Sequence, residues 1–345
     1  MARSLRGQGA IVTDQIAVVG IDVGATTTSA GLITRDGEIL AFAQTPTRTT
    51  GEGTPVDIAL ALVSELTARA RGRGIALAGI GVGLPGLVDA EKGMMIYAVN
   101  HVPEFAHLPL ADLLRDSTGL TSFVDNDVNV LALGEHRFGA GRGADSLVVL
   151  AIGTGVGGAV IIGDTLIRGH AGCAGEFGHS IIDPRGLLCR CGNRGCLNAW
   201  AAGMSIAERG RERAVAAPRS TLMDLAGGDP NGITAELVFR AASAGDAAAG
   251  DIVAEACHAL GVALGAIMSG INPEVIVITG GVAESLVPLA GEIRRHAATF
   301  ALPQAVASTT IHLVPGDKRR TVLGGAALFL YEVDRRRTPL ESRRP

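Results

Sequence analysis

The chain has 345 residues, of which 47% are hydrophobic, and 30 basic against 34 acidic residues give it a net charge of −4. That length favours two domains with enough apolar material for two cores, and the small negative charge argues against a nucleic-acid surface. Lysine occurs only at Lys92 and Lys318, outside any GxxxxGK[ST] pattern, which excludes a P-loop. With no secretory signal and no run of 18 apolar residues, we expect a cytoplasmic protein without a membrane span and a disordered lead-in over 1–15.

Apolar runs rich in β-branched residues alternate with helical periodicity along the whole chain. Strands are predicted over 15–21, 29–34, 38–43, 75–86, 146–162 (two strands with a turn between them), 273–279 and 310–317. A strand, a turn and a helix are predicted in quick succession over 121–141. Further helices are predicted over 54–71, 109–118, 204–217, 222–226, 234–244 and 246–269, from near 283, and over 321–333.

Two glycine turns follow apolar strands and repeat the same layout about 130 residues apart. The first turn reads DVGATTT from Asp22, and its carboxylate could reach a hydrated magnesium ion while backbone N–H groups approach a phosphate. The second contains Gly153, Thr154 and Gly155. Each turn alone also fits a plain hairpin, but the pair indicates duplicated halves that face one nucleotide. Gly280-Gly281, after the strand at 273–279, would suit an adenosine site.

Polar residues at other predicted strand ends and loops could bind a second ligand. Gly83 opens a tight Gly-Leu-Pro-Gly turn at the carboxyl end of a strand, where ligands bind in open α/β sheets. Asn100 could bind a hydroxyl-rich ligand or be a plain turn residue. Asp127 could cap the following helix, or accept the proton of an attacking hydroxyl that Asn126 orients; both roles can hold together.

A cysteine cluster lies in a glycine-rich segment that spans 172–200. Cys189, Cys191 and Cys196 fall within eight residues, and His179 precedes them by ten. We predict a closed Cys3His zinc site with a structural role, because four such ligands fill a tetrahedral shell. The ion would fix His179 and its neighbour Glu176. The alternative is a set of reduced surface cysteines.

Seven motifs together resemble the ROK (repressor, ORF, kinase) family of the sugar kinase, actin and Hsp70 superfamily. They are DVGATT at 22–27, GLPG at 83–86, VDNDVN at 124–129, AIGTGVGGAVI at 151–161, GEFGH at 175–179, CRCGNRGC at 189–196 and ITGGVAES at 278–285. The resemblance implies an α/β chain with the two-domain actin-like ATPase (ribonuclease H-like) fold. It also implies a smaller domain over 16–125, a larger one over 126–320 that holds the zinc loop, and a last helix near 321–335 that packs back on the smaller domain.

The resemblance further implies a glucokinase-like enzyme that uses ATP and Mg²⁺, and a dimer. Asp127 would match the catalytic base that takes the proton from a sugar hydroxyl. The matched sugar-binding positions are Gly83, Asn100, Asn126, Asp127, Glu176, His179 and Asn198, and the matched zinc ligands are His179, Cys189, Cys191 and Cys196. The matched nucleotide positions are Asp22, Gly24, Thr26, Thr27, Gly153, Thr154, Gly155, Gly280 and Gly281.

The chain departs from the family pattern at two places. Ala25 and Thr27 replace the second glycine and the lysine of the usual DxGGTK turn. Asn198 stands two residues after the last cysteine, where glucose and N-acetylmannosamine kinases of the family usually have a sugar-contacting glutamate. An uncharged amide changes the hydrogen-bond pattern at that end of the pocket. This motivates the hypothesis that the substrate is an amino sugar or a carbocyclic analogue.

Two other classes compete with a kinase. The family contains sugar-sensing repressors, but these carry a helix-turn-helix before the first strand, and only about fifteen residues precede Ile16 here. A zinc hydrolase would need an open coordination position, which three cysteines and His179 would fill. We therefore expect a kinase with a small-molecule sugar substrate and no nucleic-acid partner.

Overall fold

The computed structural model describes residues 16–48, 53–97 and 99–337. The predicted lead-in over 1–15 lies outside these residues. These residues divide into two compact units, one formed by the described residues up to Val130 together with 321–337 and the other by Leu131–Arg320.

The first unit is built on a five-stranded sheet in the order β3-β2-β1-β4-β7. Strands β1, β4 and β7 are parallel, whereas β1, β2 and β3 form antiparallel hairpins. The elements are β1 Ile16–Val23, β2 Thr27–Thr34, β3 Ile39–Pro46, α1 Pro55–Gly72, β4 Ala76–Leu84, β5 Val88–Asp89, β6 Met94–Met95, α2 Leu110–Thr118, β7 Ser122–Asn126 and the start of α3 Asp127–Phe138.

The second unit contains a sheet of the same plan, in the order β10-β9-β8-β11-β12. An antiparallel meander, β8 to β10, is again extended by two parallel strands, so the predicted duplication is confirmed. The elements are β8 Ser146–Ile152, β9 Val156–Ile162, β10 Thr165–Leu166, α4 Leu197–Ala201, α5 Gly203–Ala216, α6 Thr221–Leu225, α7 Ala235–Ser243, α8 Ala247–Gly270, β11 Val275–Thr279, α9 Ala283–Leu286, α10 Ala290–Phe300, α11 Pro303–Ser308 and β12 Thr310–Leu313.

Local sequence explains where these elements begin and which faces they bury. Strand β1 reads IAVVGIDV, and every residue after Ile16 is buried, as expected for a strand covered on both faces. Helix α1 begins with a capping box in which the Thr54 side chain accepts from Asp57 N and the Asp57 carboxylate accepts from Thr54 N. Leu62 and Leu66 of α1 then pack into the core of the first unit.

Helix α8 is the one helix in the described part of the chain that is long and apolar enough, by length and composition, to cross a membrane. Two thirds (67%) of its apolar window is buried inside the protein. It packs against α7 and α10, and Leu260 and Leu264 are fully buried in the core of the second unit. Its apolar character is therefore that of a core helix.

The last helix, α12 (Lys318–Arg337), lies against β1 and β4 at very short range. A Cβ atom added at Gly325 would lie 2.6 Å from the Gly81 carbonyl oxygen and 2.7 Å from the Gly20 Cα atom, closer than real Cβ contacts allow. Only glycine at these crossing points lets the helix backbone rest directly on the strand backbone. The helix also buries Leu328 and Phe329.

We expect Gly81→Ala to destabilise the first unit, because its methyl group would overlap the Gly325 carbonyl oxygen. Overpacking of this kind costs about 2 kcal/mol, which corresponds to a Tm roughly 4–8 °C lower. The control is Gly72→Ala at the end of α1, where an added Cβ meets no described atom within 4 Å and alanine favours the helix. Thermal unfolding of both variants tests this, and equal Tm values would contradict the packing argument.

Candidate active site

Three strand ends of the first unit lie side by side at one edge of its sheet. Because β1, β4 and β7 are parallel, their carboxyl ends meet there, with Asp22 beside Gly83 and Gly83 beside Asp125. Asp22 and Asp125 are buried. The Thr321 hydroxyl donates to Asp22 Oδ2 at 2.9 Å. The structure thus brings the predicted residues Asp22 and Gly83 together with the start of α3.

Asn126 fixes the Asp127 carboxylate. Its Nδ2 donates to Asp127 Oδ1 and to the Gly86 carbonyl, both at 3.0 Å. Its Oδ1 accepts from the N–H groups of Val128 and Asn129 at 2.9 and 3.1 Å, which caps helix α3. Asn126 therefore provides the side-chain cap, although Val128 N also lies 2.9 Å from Asp127 Oδ1. The half-buried Asp127 carboxylate is held in one orientation at the sheet edge.

The first glycine turn is held from behind by Thr47. The Thr47 hydroxyl donates to the Gly24 carbonyl at 2.6 Å and lies 3.0 Å from the Thr28 hydroxyl, and Thr47 N donates to the Thr26 carbonyl at 2.9 Å. Thr47 is fully buried. Sequence reasoning missed this residue, because its polar surroundings gave no periodic or motif signal.

The second glycine turn joins β8 to β9, and its carbonyl groups are all paired with N–H groups of the protein. Gly203 N donates to the Gly153 carbonyl at 2.8 Å, Met204 N to the Thr154 carbonyl at 3.3 Å, and Gly153 N to the Gly155 carbonyl at 2.8 Å. The first two donors belong to the start of α5. All three carbonyl oxygens of the turn therefore have hydrogen-bond donors within the protein.

The predicted adenosine residues lie next to this second turn. Gly280 has a φ of +107°, and a Cβ atom there would lie 2.5 Å from the Ile152 carbonyl oxygen. Val282 N donates to the same carbonyl at 2.9 Å. Gly280-Gly281 and Gly153–Gly155 are therefore neighbours within the second unit.

The GEFGH segment lies across the face of β9. A Cβ atom at Gly158 would lie 2.6 Å from the Gly175 carbonyl oxygen, and one at Gly178 would overlap the Val156 carbonyl oxygen. Glu176 immediately precedes a 3-10 helix over Phe177–His179, and both Glu176 and His179 are exposed. The glycines thus bring these two side chains close to the strand that follows the second turn.

The four predicted metal ligands converge. Their donor atoms all lie within 4.8 Å of one another, with Cys191 Sγ 3.7 Å from Cys196 Sγ and Cys189 Sγ 3.9 Å from His179 Nδ1. A tetrahedral zinc ion with Zn–S bonds of about 2.3 Å requires S–S separations of about 3.8 Å. The three cysteines of the cluster are free thiols. The four residues therefore fit a zinc ion.

Burial and hydrogen bonding affect these thiols differently before any metal binds. Burial raises the pKa of Cys196 to about 12, whereas a hydrogen bond to the backbone of Asn193 lowers the pKa of Cys191 to about 7. A zinc ion would bind both as thiolates and release their protons.

Two predicted sugar contacts have different surroundings. Asn100 lies in an exposed turn next to His101, whose carbonyl accepts from Arg48 Nη2 at 2.9 Å. Asn198 lies on α4, and its side-chain oxygen accepts from Val156 N at 2.7 Å. Asn198 is thus tied to the end of the second glycine turn.

A sequence profile of the ROK family matches residues 18–332. The chain belongs to the ROK family. The glucokinase of Thermotoga maritima is 33% identical over 315 residues, which cover 91% of this chain and 98% of that enzyme. A ROK glucokinase from Streptomyces griseus, solved with glucose and AMPPNP, is 32% identical with a TM-score of 0.73 over 90% of this chain and 98% of that one.

One ROK repressor is matched over a smaller share of its own length. The xylose repressor of Caldicellulosiruptor bescii is 30% identical over 203 residues, which cover 57% of this chain and 48% of the repressor. The glucokinase of Thermotoga maritima, in contrast, is matched over 98% of its length. The resemblance stated from the motifs is confirmed, and with it the actin-like fold of ROK sugar kinases.

We expect purified protein to contain one zinc ion per chain and Cys191→Ser to lose it, because the variant removes one of four thiolate or imidazole ligands. Losing the ion frees the loop that carries the ligands, so the Tm of the variant should fall by several degrees. Metal analysis and thermal unfolding measure both effects. Cys173→Ser is the control, since Cys173 is exposed and outside the cluster; a variant at Cys191 that keeps stoichiometric zinc would contradict the assignment.

Proposed function

We propose that this chain is an ATP-dependent kinase of a hexose or hexose-like ring, with Asp127 as the general base. The observation that carries the proposal is the Asp127 carboxylate, which Asn126 holds at the sheet edge shared with Asp22. The full-length similarity to ROK glucokinases supports the same reaction.

In the proposed reaction, an exocyclic hydroxyl of the sugar attacks the γ-phosphorus of ATP. The new bond joins the sugar oxygen to the γ-phosphorus, the bond from that phosphorus to the β–γ bridging oxygen breaks, and ADP leaves with the electron pair. Asp127 accepts the hydroxyl proton. Positioning of the two reactants and charge stabilisation supply most of the rate enhancement in such reactions.

The nucleotide would be bound mainly by backbone N–H groups and by a metal ion. We assign its phosphates to the two glycine turns, with Gly24, Thr26 and Thr27 in the first turn, Gly153, Thr154 and Gly155 in the second, and Gly280 and Gly281 beside the adenosine. The Asp22 carboxylate would hold Mg²⁺, which neutralises phosphate charge when bound. This arrangement would explain how a chain with lysine only at Lys92 and Lys318 can act on ATP.

The sugar would be bound by residues at the positions that match the family's sugar contacts. We assign sugar binding to Gly83, Asn100, Asn126, Glu176 and His179. A zinc ion on His179 and the three cysteines would fix the loop that carries Glu176.

We also propose that the protein is a cytoplasmic dimer that binds no nucleic acid. Size-exclusion chromatography with light scattering would test the dimer, and a DNA-binding assay would test the absence of nucleic-acid binding.

We expect Asp127→Asn to lower kcat by about 10²–10⁴-fold while sugar binding is retained, because the amide oxygen can still accept from Asn126 Nδ2 and Val128 N but the amide cannot take up the proton. The assay is coupled ADP release across glucose, mannose, N-acetylmannosamine, aminoglucoses and C7 cyclitols. The same panel compares glucose with the amino-sugar and carbocyclic substrates suggested by Asn198; a strong preference for glucose would remove that suggestion.

Asp116→Asn is the matched control for the loss of a carboxylate. The Asp116 side chain is 75% exposed on α2, so this variant should keep wild-type turnover. Near-normal activity of the Asp127→Asn variant would remove Asp127 as the base. Wild-type protein that releases no ADP with any sugar of the panel would overturn the kinase proposal itself.

A further inference from the structure

We infer that Asn198 is a positioning residue for the nucleotide, because it holds the second glycine turn, Gly153–Gly155, in its phosphate-binding shape. The inference rests on the kinase function proposed above and gives Asn198 a role other than reading the sugar. The family pattern places a sugar-contacting side chain at this position, so the two roles predict different defects when the side chain is removed.

The hydrogen bond from Val156 sets the orientation of the Asn198 amide. Val156 N donates to Asn198 Oδ1 at 2.7 Å, and because the backbone group is a donor, the amide must present its oxygen to it. Val156 is the first residue of β9 and is buried. A Cβ atom added at Gly155 would lie 3.5 Å from the same oxygen. The amide oxygen therefore lies directly against the last residues of the turn.

The segment 198–204 makes several contacts with this turn, and Asn198 provides one of them. The start of α5 pairs with the Gly153 and Thr154 carbonyls, and Asn198 pairs with the N–H group that follows Gly155. Without the Asn198 oxygen, the buried Val156 N–H would lose its acceptor, and a buried unpaired donor is costly. The turn would then relax away from the shape that the α5 contacts support.

The choice of an amide fits a turn that binds phosphates. Unlike the longer, sugar-contacting glutamate of the family pattern, an aspartate at position 198 could accept the same hydrogen bond, but it would place a negative charge beside the triphosphate. The amide oxygen accepts without a net charge. Position 198 is also two residues after the metal ligand Cys196, and Leu197 N donates to the Ser180 carbonyl at 3.0 Å. The cysteine loop thus fixes the place from which Asn198 reaches the turn.

The test compares nucleotide and sugar binding in Asn198→Ala. We expect the Kd for AMPPNP with Mg²⁺, measured by calorimetry without sugar, to rise about tenfold. The Kd for the panel sugar with the highest kcat/KM should change less than about twofold, and zinc content should be unchanged. Asn198→Asp keeps the acceptor at the same reach, so at high salt, where its charge is screened, it should bind AMPPNP more tightly than Asn198→Ala.

Asn193→Ala is the matched control, since Asn193 is an exposed asparagine of the same cysteine loop; it should bind both ligands as the wild type does. Hydrogen exchange of the segment that contains Val156 supplies a readout without ligand, and exchange should be faster in Asn198→Ala than in Asn198→Asp. If the Asn198→Ala variant folds poorly, the same exchange measurement compares the Asn198→Asp variant with the wild type.

Two results separate the inference from the function on which it rests. If wild-type protein phosphorylates a sugar but Asn198→Ala weakens only sugar binding, or neither ligand, the positioning role is wrong and the kinase proposal stands. If wild-type protein releases no ADP with any sugar, the kinase proposal fails and the positioning role fails with it.

Discussion

Glycine has no side chain that could hold a turn in shape, and both glycine turns assigned to the nucleotide make hydrogen bonds with residues from elsewhere in the chain. Thr47 donates to the Gly24 carbonyl at 2.6 Å in the first unit, and Asn198 accepts from Val156 N at 2.7 Å in the second. Small residues allow a phosphate to approach the backbone, but they also leave the backbone free to move. In each unit a buried or half-buried polar side chain removes that freedom.

Much of the fold could be predicted because its signals are local. The run IAVVGI, the helical periodicity after Pro55 and the apolar segment PEVIVIT predicted β1, α1 and β11 at nearly the observed bounds. The repeated strand, turn and strand pattern predicted two similar sheets, and their shared strand order confirmed it. The metal ligands could also be predicted from the sequence, because Cys189, Cys191 and Cys196 lie close together along the chain and their spacing suits a tetrahedral ion.

The contacts that orient the candidate site could not be predicted, because they join residues far apart in sequence. Thr321 reaches Asp22 across 299 residues, and Asn198 reaches Val156 across 42. Neither pair has a spacing that periodicity or motifs would reveal. At Asp127 the sequence left two roles open, and only the hydrogen bonds of Asn126 show which neighbour caps α3. The roles of these residues in binding and catalysis stay predictions.

Because α12 crosses directly over Gly20 and Gly81, the two units can fold in a defined order during synthesis. The first unit needs residues from both ends of the chain, whereas the second is the continuous stretch Leu131–Arg320. During synthesis, β1 and β4 leave the ribosome long before the helix that covers them exists. The second unit can close first, and the face of β1 and β4 that α12 covers stays uncovered until α12 itself has been made.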